Sequence, residues 1–449
     1  MYETKALNNK HLTRLRDFRQ QYQDCFLKRR TALIGLIDAV KQSSHLNSFV
    51  ELSLAPAFRH RWQSVYAAIG DSQIDSGKLN QLCLEQVPPR EWLYFAVDVM
   101  NVRRPSSETL KERMVCHGAK REAFGNGVII GLPYSLLAFC DAARGSWTPT
   151  VNTKRVSQTE TAVEVAVGQI AWLIENLKEP KKASIGLDGG YGNIGFFQLM
   201  QGKKTLAVAR LRNDRVMFQR PREPDGKRGR DRKYGDKFKF NEEETLPKAE
   251  DILEFEDEQY GQVRIEKWSN LRFRVANEVV EIEVLRSQIH LERKKPPAAR
   301  WYGVHNETGE ATSLARCYQT AKHRWTIEPA NRFKKERLYA DKPQVRKASS
   351  SDRWLQISQL LEWELYLYRE LAKEEKMPWQ AELSKQEQTP GRVRRSLAKN
   401  LTEVGVREYQ VLPRGKSSGW EKGRKRSRPK KYKLELKSKK KPNQTTQRE

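Results

Sequence analysis

No two of the five cysteines, Cys25, Cys83, Cys116, Cys140 and Cys317, stand in a C-x-x-C spacing. Their odd number and wide separation exclude a disulfide framework and a zinc site, and they read as buried thiols in a reducing compartment. The segment from Met1 to Lys10 lacks the apolar stretch of a signal peptide. The most apolar window, Val128 to Cys140, is interrupted by Pro133 and Ser135 and is too short to span a bilayer. A cytoplasmic protein without a membrane partner is expected. Also missing are a G-x-S-x-G elbow, a Ser/His/Asp cluster and an H-E-x-x-H helix. Gly189-Gly190-Tyr191-Gly192 has neither the Gly-Lys-Ser/Thr of a P-loop nor G-x-G-x-x-G spacing, so nucleotide binding is not expected there. No internal repeat is apparent.

What the chain has is positive charge. Lys and Arg number 84 against 56 Asp and Glu, a net charge of +28 over 449 residues. Charge of this size favours polyanions, and counterion release would supply much of the affinity for DNA or RNA. The bland alternative is a basic protein with no specific partner. Composition alone does not separate an enzyme from a packaging protein.

Three acids stand out. Asp98 ends the run Tyr94-Phe95-Ala96-Val97, and Asp188 ends Ala183-Ser184-Ile185-Gly186-Leu187; both runs read as buried strands. Glu328 follows Arg324-Trp325-Thr326-Ile327 and precedes Arg332, Lys334, Lys335 and Arg337. A carboxylate ending a buried strand is costly to desolvate unless it is paired or binds a cation. Such acids suit hard ions, Mg²⁺ or Mn²⁺, which keep waters that a substrate phosphate displaces. Three carboxylates from separate elements are enough to hold two such ions for an in-line displacement at phosphorus. Asp141, Asp214 and Asp251 read as turn or surface residues. Pro329 predicts a helix starting near Trp325, with Arg324 at or before its cap and Lys335 on the face of Glu328.

The periodicity divides the chain into five stretches. Residues 1–88 read as helical, as a DNA-binding domain or as scaffold. Residues 89–205 alternate strands and a helix in α/β fashion, with Gly127–Leu132 and Ser135–Cys140 as two strands closed by a turn at Pro133, and Thr161–Leu177 as a helix. Residues 206–305 have strand periodicity and form a β-rich insertion. Residues 306–375 return to helix, and 376–449 form a basic tail, partly disordered. Within the insertion Arg228, Arg230 and Arg232 lie in a glycine-interrupted basic loop, read as a phosphate contact or as a solvated charge run.

The layout resembles the DDE transposases of bacterial insertion sequences, in the group with a β-strand insertion and a Y-x2-R-x3-E-x6-K signature. Arg324, Glu328 and Lys335 fall on R-x3-E-x6-K; the tyrosine position is Ala321, and Tyr318 lies three residues early. The resemblance covers roughly residues 90 to 370. It implies an RNase H-like catalytic core interrupted by the insertion, with Asp98, Asp188 and Glu328 holding two Mg²⁺ or Mn²⁺ ions. It implies cleavage and strand transfer on double-stranded DNA, at terminal inverted repeats and in target DNA, by a homodimer associated with the nucleoid. Arg324 and Lys335 would grip the phosphates flanking the cut. Relatives hold a flipped base in the insertion, which implicates Trp268; the alternative is that Trp268 packs in a β-sheet core. A catalytically silent DNA-binding derivative and a nuclease without strand transfer are the rival functions.

Overall fold

The computed structural model describes residues 2–117, 127–143, 145–178, 180–221, 232–274, 279–290, 298–413, 419, 421–425 and 427–435. It opens with helices α1 (Tyr2–Gln23), α2 (Arg30–Gln42), α3 (Gln63–Asp71) and α4 (Ser76–Glu85), and a short pair of strands, β1 (Phe26–Lys28) and β2 (Gln73–Ile74). Then come β3 (Trp92–Arg103), β4 (Met114–His117), β5 (Val128–Cys140), β6 (Thr150–Arg155), α5 (Ala162–Asn176), β7 (Lys182–Leu187), α6 (Ile194–Met200) and β8 (Leu206–Leu211). Strands β9 (Val216–Phe218), β10 (Lys237–Lys239), β11 (Asp251–Asp257), β12 (Gly261–Arg272), β13 (Glu281–His290) and β14 (Arg300–Asn306) follow. Helices α7 (Leu314–Arg324), α8 (Ile327–Glu336), α9 (Ala348–Tyr368) and α10 (Pro390–Lys399) complete the described elements.

The result is a mixed α/β architecture around one large sheet. Its central strands run β6–β5–β3–β7–β8, with β7 and β8 parallel to β3 and the other pairs antiparallel. That order is consistent with an RNase H-like core. The sheet continues without a break: β14 pairs with β8, then β13, then β12. Strand β8, with which the insertion was expected to begin, is therefore a parallel strand of the central sheet, and β14, β13 and β12 extend the same sheet past it.

Local chemistry explains the elements that frame the site. Helix α5 starts at a capping box: Thr161 Oγ1 accepts from Glu164 N–H at 3.1 Å, and Glu164 accepts from Thr161 N–H at 2.7 Å. Two strands with a turn at Pro133 were expected; β5 instead runs unbroken through that residue. Its outer edge pairs with β4 up to Gly131 and with β6 from Tyr134, so Pro133 sits at the changeover. Val156 N–H still donates to the Pro133 carbonyl at 2.9 Å, and the missing N–H falls at the ladder's end, where a strand tolerates proline.

One apolar core joins both ends of the chain. It includes Leu15 and Phe18 of α1, Leu93 and Phe95 of β3, Trp363 of α9, and Val393 and Leu397 of α10. Residues 390–406, expected in the basic tail, are thus partly core: Val393, Leu397, Leu401, Val404 and Val406 are buried. The helices within residues 1–88 share this core and are tied to α9 by a buried charge cluster. Glu364 accepts from Arg19 at 2.8 Å, Lys41 at 2.5 Å and Tyr22 at 2.6 Å, while Asp38 pairs with Lys41 at 2.6 Å. Burial alone would raise the Glu364 carboxyl, yet Arg19 and Lys41 hold it down at about 2. All five cysteines are buried and none is in a disulfide. Among the described residues no helix is long and apolar enough to cross a membrane.

Candidate active site

Strands β3 and β7 lie side by side in parallel, and the last pair in their register is Val97 with Leu187. The next residue on each strand is an aspartate, so Asp98 and Asp188 emerge together where the β7 ladder stops. Asp98 is not at a strand end, as the sequence pattern suggested, because β3 continues to Arg103 alongside β5. Asp98 Oδ1 accepts from Val99 N–H at 2.8 Å and Oδ2 from Asn331 Nδ2 at 3.0 Å. Asp188 Oδ1 accepts from Gly190 N–H at 2.9 Å. A Cβ at Gly190 would stand 3.1 Å from that oxygen, so glycine lets the turn close over the carboxylate. Burial, and then the neighbouring charge of Asp188, push the Asp98 carboxyl up to about 6.

Glu328 reaches this region from the helical layer. The helix expected to start near Trp325 is α8: it starts at Ile327, after α7 ends at Arg324, which leaves Arg324 before its cap and Pro329 in its first turn, where proline is tolerated. Arg324 Nη2 donates to Glu328 Oε1 at 3.0 Å. Arg324 is held against β7 by close backbone approach: a Cβ on Gly186 would lie 2.7 Å from Arg324 Cβ and 2.8 Å from the Thr320 carbonyl oxygen. Three further contacts pin α8. Thr148 and Thr326 share a hydrogen bond of 2.6 Å, and buried Lys334 donates to Thr150 at 2.6 Å and pairs with Glu362 at 3.1 Å.

Among the described residues no three acidic, histidine or cysteine side chains are gathered closely enough to hold a metal ion. The two aspartates are brought together; Glu328 is near enough to bear on Asp98 but is engaged by Arg324. The donor set is all oxygen, and a buried carboxylate pressed against a second one is relieved by a divalent cation. Oxygen donors of this kind are the chemistry a hard divalent cation takes. Beside the aspartates opens a cavity of about 560 Å³, with Val99, Val115, Val163 and Tyr191 among its walls.

The other expected site residues are dispersed. Lys335 is half-buried on α8 and Arg232 is exposed; Arg228 and Arg230 lie outside the described residues. Trp268 takes the core alternative. It is 3 % exposed, donates from Nε1 to the Pro247 carbonyl at 2.8 Å, and packs on Phe238 and Trp301 with ring centroids 5.3 and 5.6 Å away. No face is left for a base. Asp141, expected in a turn or at the surface, leads into the turn after β5 but is buried, accepting from Tyr366 at 2.8 Å and pairing with Arg90 at 3.3 Å. Two residues escaped the sequence reading. Trp325, between Arg324 and Glu328, is 59 % exposed, and its place in a charged run beside a conspicuous acid was the available signal. Asn331 gives none, because its contact with Asp98 arises only when α8 docks on β3.

Residues 21–272 match the family model described as DDE superfamily endonuclease, which spans more than half of the chain. The chain belongs to this family. The match takes in Asp98 and Asp188 and ends before Glu328. No curated protein matches the chain. Family membership makes this a DDE-type endonuclease, of the nuclease and transposase class, with DNA as its substrate.

Proposed function

We propose that the chain is a DNA transposase of a bacterial insertion sequence, cutting and rejoining DNA at the element ends with Asp98, Asp188 and Glu328 as its catalytic carboxylates. The observation that carries this reading is the register of β3 and β7, which sets Asp98 beside Asp188 with Glu328 and Arg324 on the helices facing them. Two Mg²⁺ or Mn²⁺ ions, when bound, supply an activated water or 3′-hydroxyl and stabilise the leaving 3′-oxygen. The chain's own groups do the rest. Asp98 and Asp188 present oxygens whose rotamers are already fixed by hydrogen bonds. Arg324 offers a planar guanidinium to a flanking phosphate, and Lys335 a point charge farther along α8. Trp325 offers an exposed ring on which an unpaired base next to the cut stacks. The net charge of +28 favours long DNA contacts, and a homodimer on DNA would process both ends.

The test is a Mg²⁺-dependent reaction on a duplex carrying the DNA that flanks the reading frame, with a supercoiled target plasmid. Joined products support transposition. Nicks alone reduce the protein to a nuclease, and binding without cleavage reduces it to a silent derivative.

A further inference from the structure

Asn331 lies three residues beyond Glu328 on α8, a spacing that puts both on one helical face. Its Nδ2 donates to Asp98 Oδ2 at 3.0 Å, across 233 residues of sequence. An ionised carboxylate only accepts, so the amide must present its NH₂ group. With Val99 N–H on Oδ1, each oxygen of Asp98 carries one hydrogen bond and keeps a lone pair for another partner. Lys334 and Thr326 also fasten α8, but to Glu362, Thr150 and Thr148 rather than to an aspartate.

We propose that Asn331 is a positioning residue of the cation site, locking the Asp98 carboxylate and tying α8 to β3 so that Asp98 and Glu328 face one divalent ion in a fixed relation. This rests on the two-aspartate reading above. Partners that orient a metal-binding carboxylate set its affinity for the ion as well as the local packing. A residue that merely docked a helix would change stability and leave affinity alone.

The experiment is Mn²⁺ titration calorimetry on the full-length, DNA-free protein, with a thermal melt on each preparation. Asn331→Leu keeps the branched shape and removes the donor; its Mn²⁺ dissociation constant should rise about tenfold or more. Asn331→Gln retains an amide and should recover most of the loss. If the leucine variant does not fold, Asn331→Ala takes its place on this half-exposed face. A folded leucine or alanine variant that binds Mn²⁺ like wild type overturns the inference. Asp98→Ala is the control. If it abolishes Mn²⁺ binding while Asn331→Leu keeps the wild-type dissociation constant, the inference alone fails; if Asp98→Ala retains binding, the two-aspartate reading fails and this inference with it.

Discussion

Arg324 and Glu328 share a 3.0 Å ion pair across the break between α7 and α8. The arginine is 14 % exposed and the glutamate 49 %, so the pair has one foot in the protein and one in solvent. Its geometry depends on Gly186 beneath it. Gly186→Ala should force α7 outward, because the new Cβ would meet Arg324 Cβ at 2.7 Å. The expected cost is about 1–3 kcal/mol in urea denaturation, with DNA cleavage lowered further than stability accounts for. Full cleavage activity in a folded Gly186→Ala protein would show that the placement of Arg324 is not critical.

Asp98 gives a pH signature. Its carboxyl is raised from 3.8 to about 6, so the folded metal-free protein binds its proton more tightly than the unfolded chain does. Stability from this group is fully present below pH 4 and is lost as pH rises through about 6, a change on the order of 1–3 kcal/mol. Asp98→Asn should flatten that part of the stability–pH curve and stabilise the metal-free protein at neutral pH. An unchanged curve would mean that Asp98 titrates normally.

Glu364 works in the opposite sense. Held down at about 2, it contributes stability above its unfolded value of 4.5, and loses that contribution only as pH falls toward 2. Glu364→Ala strands Arg19 and Lys41 in the interior and should cost about 3–5 kcal/mol by chemical denaturation. A near-neutral result would mean that water reaches this cluster.

The two tryptophans should separate cleanly. Trp268→Ala empties a packed core position and should cost about 3–5 kcal/mol. Trp325→Ala should leave the melting temperature unchanged while weakening processing of the strand at the cut. Equal DNA processing by wild type and Trp325→Ala would remove the base-stacking role.

Much of the site's skeleton was legible because buried strands announce themselves. The runs ending at Asp98 and Asp188 are apolar enough to be central strands, and they pair with each other. Pro133 misled because proline breaks a ladder only where an N–H is needed, and its position at the β4–β6 changeover is a tertiary fact. Residues 390–406 misled for a similar reason: α10 buries Val393 and Leu397 together with Arg392 and Arg394, and the charges of its arginines dominate its composition. Trp268 could not be told from a binding residue, since a tryptophan in a strand looks the same on either face until its partner sheet is known.

The most direct test of the account is strand cleavage in Mg²⁺ by Asp188→Ala, measured beside a gel shift on the same duplex. Removing the carboxylate should abolish cleavage and leave DNA binding intact or tighter, because one negative charge facing phosphate is gone. Cleavage near the wild-type rate would contradict the two-aspartate site.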